Sequence, residues 1–531
     1  MQVIHKTIGG LLEEIATAYP QRDAVIHSEM GVRYNFKRLS QKINRSARGF
    51  IKIGINAGDK VGLWANNSPE WLLSFLGLTK IGAITVPIDP NTTAENLHFI
   101  LAQSECCGLI ISGGTENRKI EEMALEAKKQ IPALQFIIVL GDANTEEMTP
   151  WADFLAGADG VGDQALAEKA QAVQATNPMA IMYTSGTTGQ PKGVVLDHLG
   201  LINKSMVGTE RQGITAEDRL CLFFPLFHMM GNTCIALAGL LRGAALIMPC
   251  ETFDPPKVLQ AISQEKCTAV YGSPSMLIAL IDYPEFRKED WKTVSRGIIG
   301  GAPCPIELMR RIVEDIGVSE ITVAYGITET SSWITMTHPD DPIELRVSTI
   351  GTPLPCNDVK IVDPGSGEPL APNQQGELCT RGFLMKEYYK MPAATAAAVD
   401  KEAWFHTGDL GEMDEKGYVK ITGRLKDVIV RDGVDIYPVE VEEVIYQLPE
   451  ISEAQVFGFP HPQKGQEVAA WVKLKAGTQL SLDRLAQHVR EHLSEEGWPK
   501  HYKIVSEFPM TGSGKIQKFK LADMGQREYS Q

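Results

Sequence analysis

The 531-residue chain has no CxxC pair among its nine cysteines, no apolar run long enough to cross a bilayer, no repeat and no low-complexity tract. An odd number of thiols, scattered from Cys106-Cys107 to Cys379 without metal-ligand spacing, favours reduced cysteines over a disulfide scaffold or a zinc module. The most apolar stretch, residues 234–250, is interrupted by Arg242 and stops at Pro249, which rules out an integral membrane segment. Positive charge is also scarce: 51 Lys and Arg stand against 66 Asp and Glu, for a formal charge of −15. Such a chain is not drawn to nucleic acid or to an anionic membrane by bulk electrostatics, and a polyphosphate ligand would need local cations. The opening MQVIHKTIGGLLEEIATAYP has no signal-peptide apolar region, so a cytoplasmic protein is expected.

What is present is the composition of a globular enzyme, 44% hydrophobic and 22% charged, in a chain too long for one core. Up to about residue 175, helical patterns such as FKRLSQKINRSARGFIKI alternate with short apolar strands such as KVGLWAN and AITVPI. That alternation predicts an α/β layer with a largely parallel sheet, and the acidic, alanine-rich 142–177 reads as surface helix and loop. A second alternating block, from RLCLFFPL to ITVAYGITE, predicts a second α/β sheet, and residues 350–422 read as a small β-rich subdomain. A compact α+β tail follows GRLKD, with the main boundary at Lys426.

The densest signal is YTSGTTGQPKGV, Tyr183 to Val194. Gly186 and Gly189 permit positive φ and close backbone approach, the hydroxyls of Thr184, Ser185, Thr187 and Thr188 add donors, and Lys192 brings a mobile charge. This composition suits a loop that wraps phosphates. Unlike a loop ending in Gly-Lys-Ser/Thr at a helix N-terminus, it has Pro191 before the lysine and Val194-Val195 beyond, so it reads strand, loop, strand.

Four further clusters lie at predicted strand ends or in loops. Gly300-Gly301-Ala302-Pro303 is small enough to lie against a flat ring, or is a tight turn. In Tyr325-Gly326-Ile327-Thr328-Glu329-Thr330 the tyrosine can stack on a base, Thr328 can donate to a phosphate and Glu329 is a hard oxygen ligand for Mg²⁺. Asp409 in His406-Thr407-Gly408-Asp409 suits ribose hydroxyls, with Arg424 fifteen residues on, or taken alone is a turn residue. Lys515, in TGSGK, is a glycine-flanked lysine near the C-terminus, which taken alone reads as a solvated tail lysine.

Taken in order, with PLFH (Pro225 to His228) and GVDIYPVEVEE, these motifs span nearly the whole chain, which resembles the acyl-adenylate-forming family of acyl-CoA synthetases, adenylation domains and beetle luciferases. The resemblance implies an α/β fold: a large N-terminal domain (1–425) of two α/β-sheet subdomains plus a distorted β-barrel, and a small mobile α+β C-terminal domain (426–531) hinged at Lys426. It implies an acid:CoA ligase using ATP, Mg²⁺ and CoA, with acyl-AMP as intermediate and AMP and pyrophosphate as products. Direction stays open, and a homodimer is compatible with it.

By the same resemblance Lys515 and Thr328 act at the α-phosphate, Glu329 and Thr184 hold Mg²⁺, and the loop from Thr184 through Gly189 to Lys192 cradles pyrophosphate. Gly301, Ala302, Pro303, Tyr325 and Gly326 surround adenine, while Asp409 and Arg424 hold ribose. The acyl group falls among His228, Met229, Met230, Gly300, Gly326 and Trp333, and Gly433 lines the pantetheine tunnel. The methionines serve a core equally well, and His228 a loop. Glycine at 326, where short-chain members carry tryptophan, predicts a medium-chain, cyclic or aromatic acid. Two segments depart from the pattern: Val430-Arg431, where many relatives have a lysine, and GWPKHYK with Trp498. Carrier-protein loading, luciferase-like oxygenation and a non-catalytic nucleotide sensor remain the alternatives.

Overall fold

The structure, a computed structural model, describes residues 2–113, 117–184, 190–510 and 516–529. The chain divides into two compact units. One comprises the residues up to Asp358 together with Thr380–Phe405, the other Val359–Cys379 together with the residues from His406 onward.

The first unit holds two large sheets. In the eight-stranded one, the order runs Glu387–Tyr388, Lys192–Asp197, Pro178–Thr184, Ile84–Pro87, Lys60–Trp64, Cys106–Ser112, Phe136–Leu140 and Thr149–Pro150. The pairings are parallel from Pro178–Thr184 to Thr149–Pro150 and antiparallel at the Lys192–Asp197 and Glu387–Tyr388 edge. The nine-stranded sheet is parallel from Glu320–Ile327 through Arg296–Ile299, Ala269–Gly272, Arg219–Cys221 and Ala245–Met248 to Asp23–His27, with antiparallel strands outside. Both blocks of sequence alternation therefore form sheets. Asp23–His27, however, joins the second sheet beside Ala245–Met248 and not the first, since its buried ALA-VAL-ILE run carries no local signal for which partner strand it meets.

Helices cover these sheets for reasons visible in their residues. Helix Phe36–Lys52 is capped by the Asn35 side chain, which accepts from Arg38 N, and buries Phe36, Leu39, Ile43, Ala47 and Phe50 on one stripe. Helix Pro69–Lys80 starts on the Ser68 cap with proline in its first turn, and every residue but Glu70 is buried. It packs against Phe36–Lys52 and Ile8–Ala18, which explains why it is buried nearly all round. No described helix is long and apolar enough to cross a membrane.

Glycine is indispensable at position 351. Its φ is +78°, and a Cβ there would sit 2.0 Å from the Met336 carbonyl carbon. Gly351→Ala is expected to cost about 3 kcal/mol or more, from backbone strain plus overlap with backbone atoms that cannot rotate away. Gly31→Ala, with φ +64° but open space around the Cβ, should cost about 1 kcal/mol; shifts in urea midpoint compare the two.

The second unit carries most of a four-stranded sheet ordered Asp358–Val362, Gly376–Arg381, Phe405–Met413 and Val419–Arg424. Its other sheet is ordered Val434–Ile436, Ile429–Arg431, Gly465–Leu474 and Ile451–His461, with His501–Ile504 parallel to Gly465–Leu474. Helices Pro438–Tyr446 and Leu482–His492 close a core around Ile445, Val456, Val472 and Leu485, and Lys518–Tyr529 covers Phe457 and Phe459 through Leu521.

Candidate active site

The phosphate-loop motif sits on an antiparallel hairpin. Thr184 ends one strand and pairs with Lys192, which begins the next, and Tyr183 pairs with Gly193. The strand–loop–strand pattern expected from Pro191 and the valines is thus present. Ser185, Gly186, Thr187, Thr188 and Gly189 lie outside the described residues, as does Lys515. Lys192 is half-buried, its Nζ 4.9 Å from the centroid of the Tyr388 ring.

Two other clusters emerge from neighbouring strands of the nine-stranded sheet. Arg296–Ile299 delivers Gly300 to Pro303, and the parallel strand Glu320–Ile327 delivers Tyr325 onward. Both clusters occupy the carboxyl ends of their strands, where α/β sheets bind ligands. Gly301, Ala302 and Pro303 are exposed, and Gly301 has φ +87° with open space beside it. Gly300 is buried, and a Cβ there would lie 3.3 Å from the Met230 methyl. Tyr325, Thr328 and Glu329 are half-buried. Thr328–Thr330 forms a 3₁₀ turn stapled by the Thr330 hydroxyl, which donates toward the Ile327 and Ser332 carbonyls at 3.0 and 2.9 Å. Directly after it Ser331 and Ser332 take φ +56° and +119°, so this turn is held in strained backbone.

Glu329 is fixed from the segment 385–388. Tyr388 donates its hydroxyl to Glu329 Oε1 at 2.8 Å, and the Met385 N–H donates to the Glu329 carbonyl at 2.6 Å. Burial first, and the carboxylate second, push the Tyr388 phenol well above its ordinary pKa, so it stays a donor at neutral pH. Sequence reasoning missed Tyr388: a tyrosine 59 residues from its partner in an ordinary KEYYKMP stretch has no local signature.

The residues expected around the acyl group divide. Met229 and Met230 are buried in the main core, and His228 Nδ1 accepts from Met230 N at 3.2 Å where the π-helical segment Met230–Leu237 begins. Trp333 is buried in the same core with its indole against Gly208; a Cβ on Gly208 would come within 2.5 Å of its ring. The fully buried Lys204 donates to the Trp333 carbonyl at 2.9 Å and to Asn357 Oδ1, and burial pushes its pKa down to about 8. Gly326 has a reason for being glycine other than the one inferred from sequence. A Cβ there would lie 2.0 Å from the Ser332 carbonyl oxygen, at an irregularity in strand pairing. In this backbone glycine is demanded by that close approach, so its smallness is no measure of acyl-group size.

In the second unit Asp409 and Arg424 are cross-strand partners, with Arg424 Nε 2.8 Å from Asp409 Oδ1. Asp409 is 4% exposed, while the arginine lies on the surface. The strand segment presenting Asp409 is clamped by Glu377, whose Oε1 accepts from Gly408 N at 3.0 Å and whose Oε2 lies 2.8 Å from His406 Nδ1. Thr407 Oγ1 donates to the Leu378 carbonyl at 2.7 Å, and Gly408 takes φ +71°. Glu377, Cys379 and His406 place their ligand atoms within 4.8 Å of one another. These groups already bond each other and the Phe405–Met413 strand, which accounts for their convergence. Glu377 also went unseen in the sequence.

Lys426 lies in the 3₁₀ turn Leu425–Asp427. Its side chain is exposed, yet the atoms crowding it, with Arg424 and Lys518, push its pKa below the ordinary lysine value against the pull of Asp427 and Asp409. Gly433, with φ +79°, forms a two-residue hairpin turn with Asp432, φ +55°, the pattern that Asp-Gly favours. Both departures from the family pattern meet here. Arg431 pairs with Glu467 at 3.0 Å and donates to the Trp498 carbonyl at 2.8 Å and to that of Glu496. It is a half-buried brace of the 495–498 turn.

Together the strand-end clusters and the hairpin define a nucleotide-binding α/β enzyme of adenylate-forming architecture. The chain belongs to the AMP-binding enzyme family: that family's model matches residues 12–389, and the AMP-binding enzyme C-terminal domain matches 440–515. It is 41% identical to YngI of Bacillus subtilis (strain 168), a protein assigned as an acyl-CoA synthetase, across 98% of this chain and 97% of that one. It is 33% identical to the mitochondrial medium-chain acyl-CoA ligase ACSF2 of Rattus norvegicus, across 98% of this chain and 88% of that one. Among solved structures it resembles the fatty acyl CoA synthetase of Mycobacterium tuberculosis (29% identity, TM-score 0.71, 98% and 99% covered). ATP-bound MatB of Rhodopseudomonas palustris is similar at 25% identity and TM-score 0.84, with 99% and 100% covered.

Proposed function

We propose that this enzyme is an AMP-forming acid:CoA ligase that joins a medium-chain carboxylate to CoA through an acyl-adenylate. The observation that carries the reading is the delivery of GGAP and YGITET from adjacent parallel strand ends in a chain of this family. The medium-chain preference is supported by the likeness to a medium-chain ligase along nearly the whole chain.

In the first half-reaction a carboxylate oxygen attacks the α-phosphorus of ATP and the bond to pyrophosphate breaks. Negative charge gathers at the α-phosphate, so donors aimed there lower the barrier more than they tighten binding. Lys515 and the Thr328 hydroxyl supply them, while the loop from Thr184 to Lys192 receives the leaving pyrophosphate. The exposed Gly301-Ala302-Pro303 backbone and the half-buried Tyr325 offer adenine a flat bed, and Asp409, steadied by Arg424, accepts from ribose hydroxyls. A carboxylate and a hydroxyl are the hard oxygen donors magnesium prefers, so Glu329 and Thr184 would hold it, and bound there it offsets the charge of the phosphates. In the second half-reaction the thiolate of CoA attacks the acyl carbon and AMP leaves. Lys426 is the hinge between the two, and the Gly433 turn borders the entering thiol.

A CoA-dependent AMP-release screen over acetate, hexanoate, octanoate, cyclohexanecarboxylate and benzoate tests this reading. Turnover should peak at six to ten carbons, with kcat/KM for acetate lower by at least about 10²-fold, since each buried methylene adds about 0.8 kcal/mol. A preference for acetate overturns the chain-length assignment, and absence of acid-dependent AMP release overturns the ligase.

A further inference from the structure

Tyr388 lies on the short edge strand Glu387–Tyr388, which pairs with Lys192–Asp197 beside the phosphate loop. The segment is anchored on both sides: Lys386 and Tyr389 donate backbone N–H groups to the Val195 and Gly193 carbonyls, and Met385 donates to the Glu329 carbonyl. Tyr388 itself is 5% exposed, its N–H donates to Thr395 Oγ1 at 2.9 Å and its carbonyl accepts from Met391 N at 2.9 Å, so the ring has little freedom. From that position the hydroxyl reaches Glu329 Oε1 at 2.8 Å, while Lys192 Nζ lies 4.9 Å from the ring centroid. Glu329 follows the nine-stranded sheet and Lys192 belongs to the eight-stranded one, so a single side chain touches functional groups of both sheets.

We infer that Tyr388 is a positioning residue for nucleotide activation, orienting the Glu329 carboxylate through its hydroxyl and seating Lys192 against its ring. The inference deepens the proposed function and rests on it. A carboxylate that accepts a hydrogen bond on one oxygen has its plane fixed and its other oxygen aimed, and partners set behind a metal-binding carboxylate typically matter by about 10- to 100-fold in metal affinity. A cation over an aromatic face gains a smaller, orientation-dependent attraction. The two effects are separable, because phenylalanine keeps the ring and loses only the hydroxyl.

The test is direct titration of Mn²⁺ into the full-length protein saturated with α,β-methylene-ATP, followed by electron paramagnetic resonance, with thermal melting as the check on folding. Tyr388→Phe should weaken Mn²⁺ binding by about 10-fold and raise the KM for MgATP, leaving the KM for the acid and the melting curve unmoved. Tyr388→Leu should in addition weaken product inhibition by pyrophosphate by about threefold, through the loss of the face beneath Lys192. In a Glu329→Gln background the Tyr388→Phe effect on Mn²⁺ binding should vanish, since coupled partners are not additive. Undiminished Mn²⁺ binding by Tyr388→Phe beside a binding wild type overturns the inference alone, as does full additivity with Glu329→Gln. Failure of the wild type to bind Mn²⁺ with the analogue overturns the nucleotide reading itself, and this inference with it.

Discussion

Lys515→Ala is expected to abolish adenylation while sparing thioester formation from supplied acyl-AMP. The half-reactions make different demands. During attack on the α-phosphorus, charge accumulates on oxygens that water would otherwise solvate, and a fixed cation there acts mainly on the transition state; removal of one such donor costs about 10³-fold. Thiol attack on the acyl carbon expels AMP, already a good leaving group, and needs no cation between carboxylate and phosphate. Carboxylate-dependent exchange of labelled pyrophosphate into ATP isolates the first step, and CoA with synthetic octanoyl-AMP isolates the second. Lys515→Arg should rescue little, because a planar guanidinium on a longer reach does not replace a compact ammonium bridging two oxygens. Equal loss of both half-reactions would sink the assignment.

Much of this architecture can be read from residues that act on their neighbours in sequence. Pro191 and the valines after Gly193 predict a hairpin in place of a strand-to-helix loop, and the antiparallel pair of Thr184 with Lys192 is that hairpin. Alternation of helical and strand periodicities predicts two α/β sheets because period is a local property. Arg424 stands fifteen residues after Asp409, and that spacing proves to be one antiparallel step across a short turn.

What escaped the sequence depends on long-range pairing or on backbone geometry. Tyr388 and Glu377 work through hydrogen bonds that close loops of 59 and 31 residues, and tyrosine or glutamate at such places has no distinguishing neighbours. Gly326 shows the converse. The residue invited a reading in terms of side-chain volume, whereas the Ser332 carbonyl 2.0 Å from its would-be Cβ decides it. Arg431 and Trp498, separate oddities in the chain, are joined by a hydrogen bond from the arginine to the Trp498 carbonyl.

Lys426→Pro is the complementary experiment and should do the reverse of Lys515→Ala. Residue 426 lies in the 3₁₀ turn Leu425–Asp427, and 3₁₀ turns in general use φ near the value of about −65° that proline imposes, so the ring should fit the turn. What it removes is rotation about that bond, the motion by which the proposed hinge would exchange one half-reaction for the other. Adenylation should persist, while thioester formation from octanoyl-AMP should fall by about 10²-fold, the usual cost when reacting groups miss alignment by about an ångström. Lys426→Ala separates hinge from charge, since it discards the amine near Asp409 and Asp427 but leaves φ free. If alanine is as defective as proline, the side chain is what matters. If proline sustains full thioesterification, the chain does not turn at residue 426. A unit held in one arrangement should also accumulate its intermediate: a stoichiometric burst of octanoyl-AMP, with octanoyl-CoA following about 10²-fold more slowly than in the parent enzyme, would mark a hinge fixed by proline.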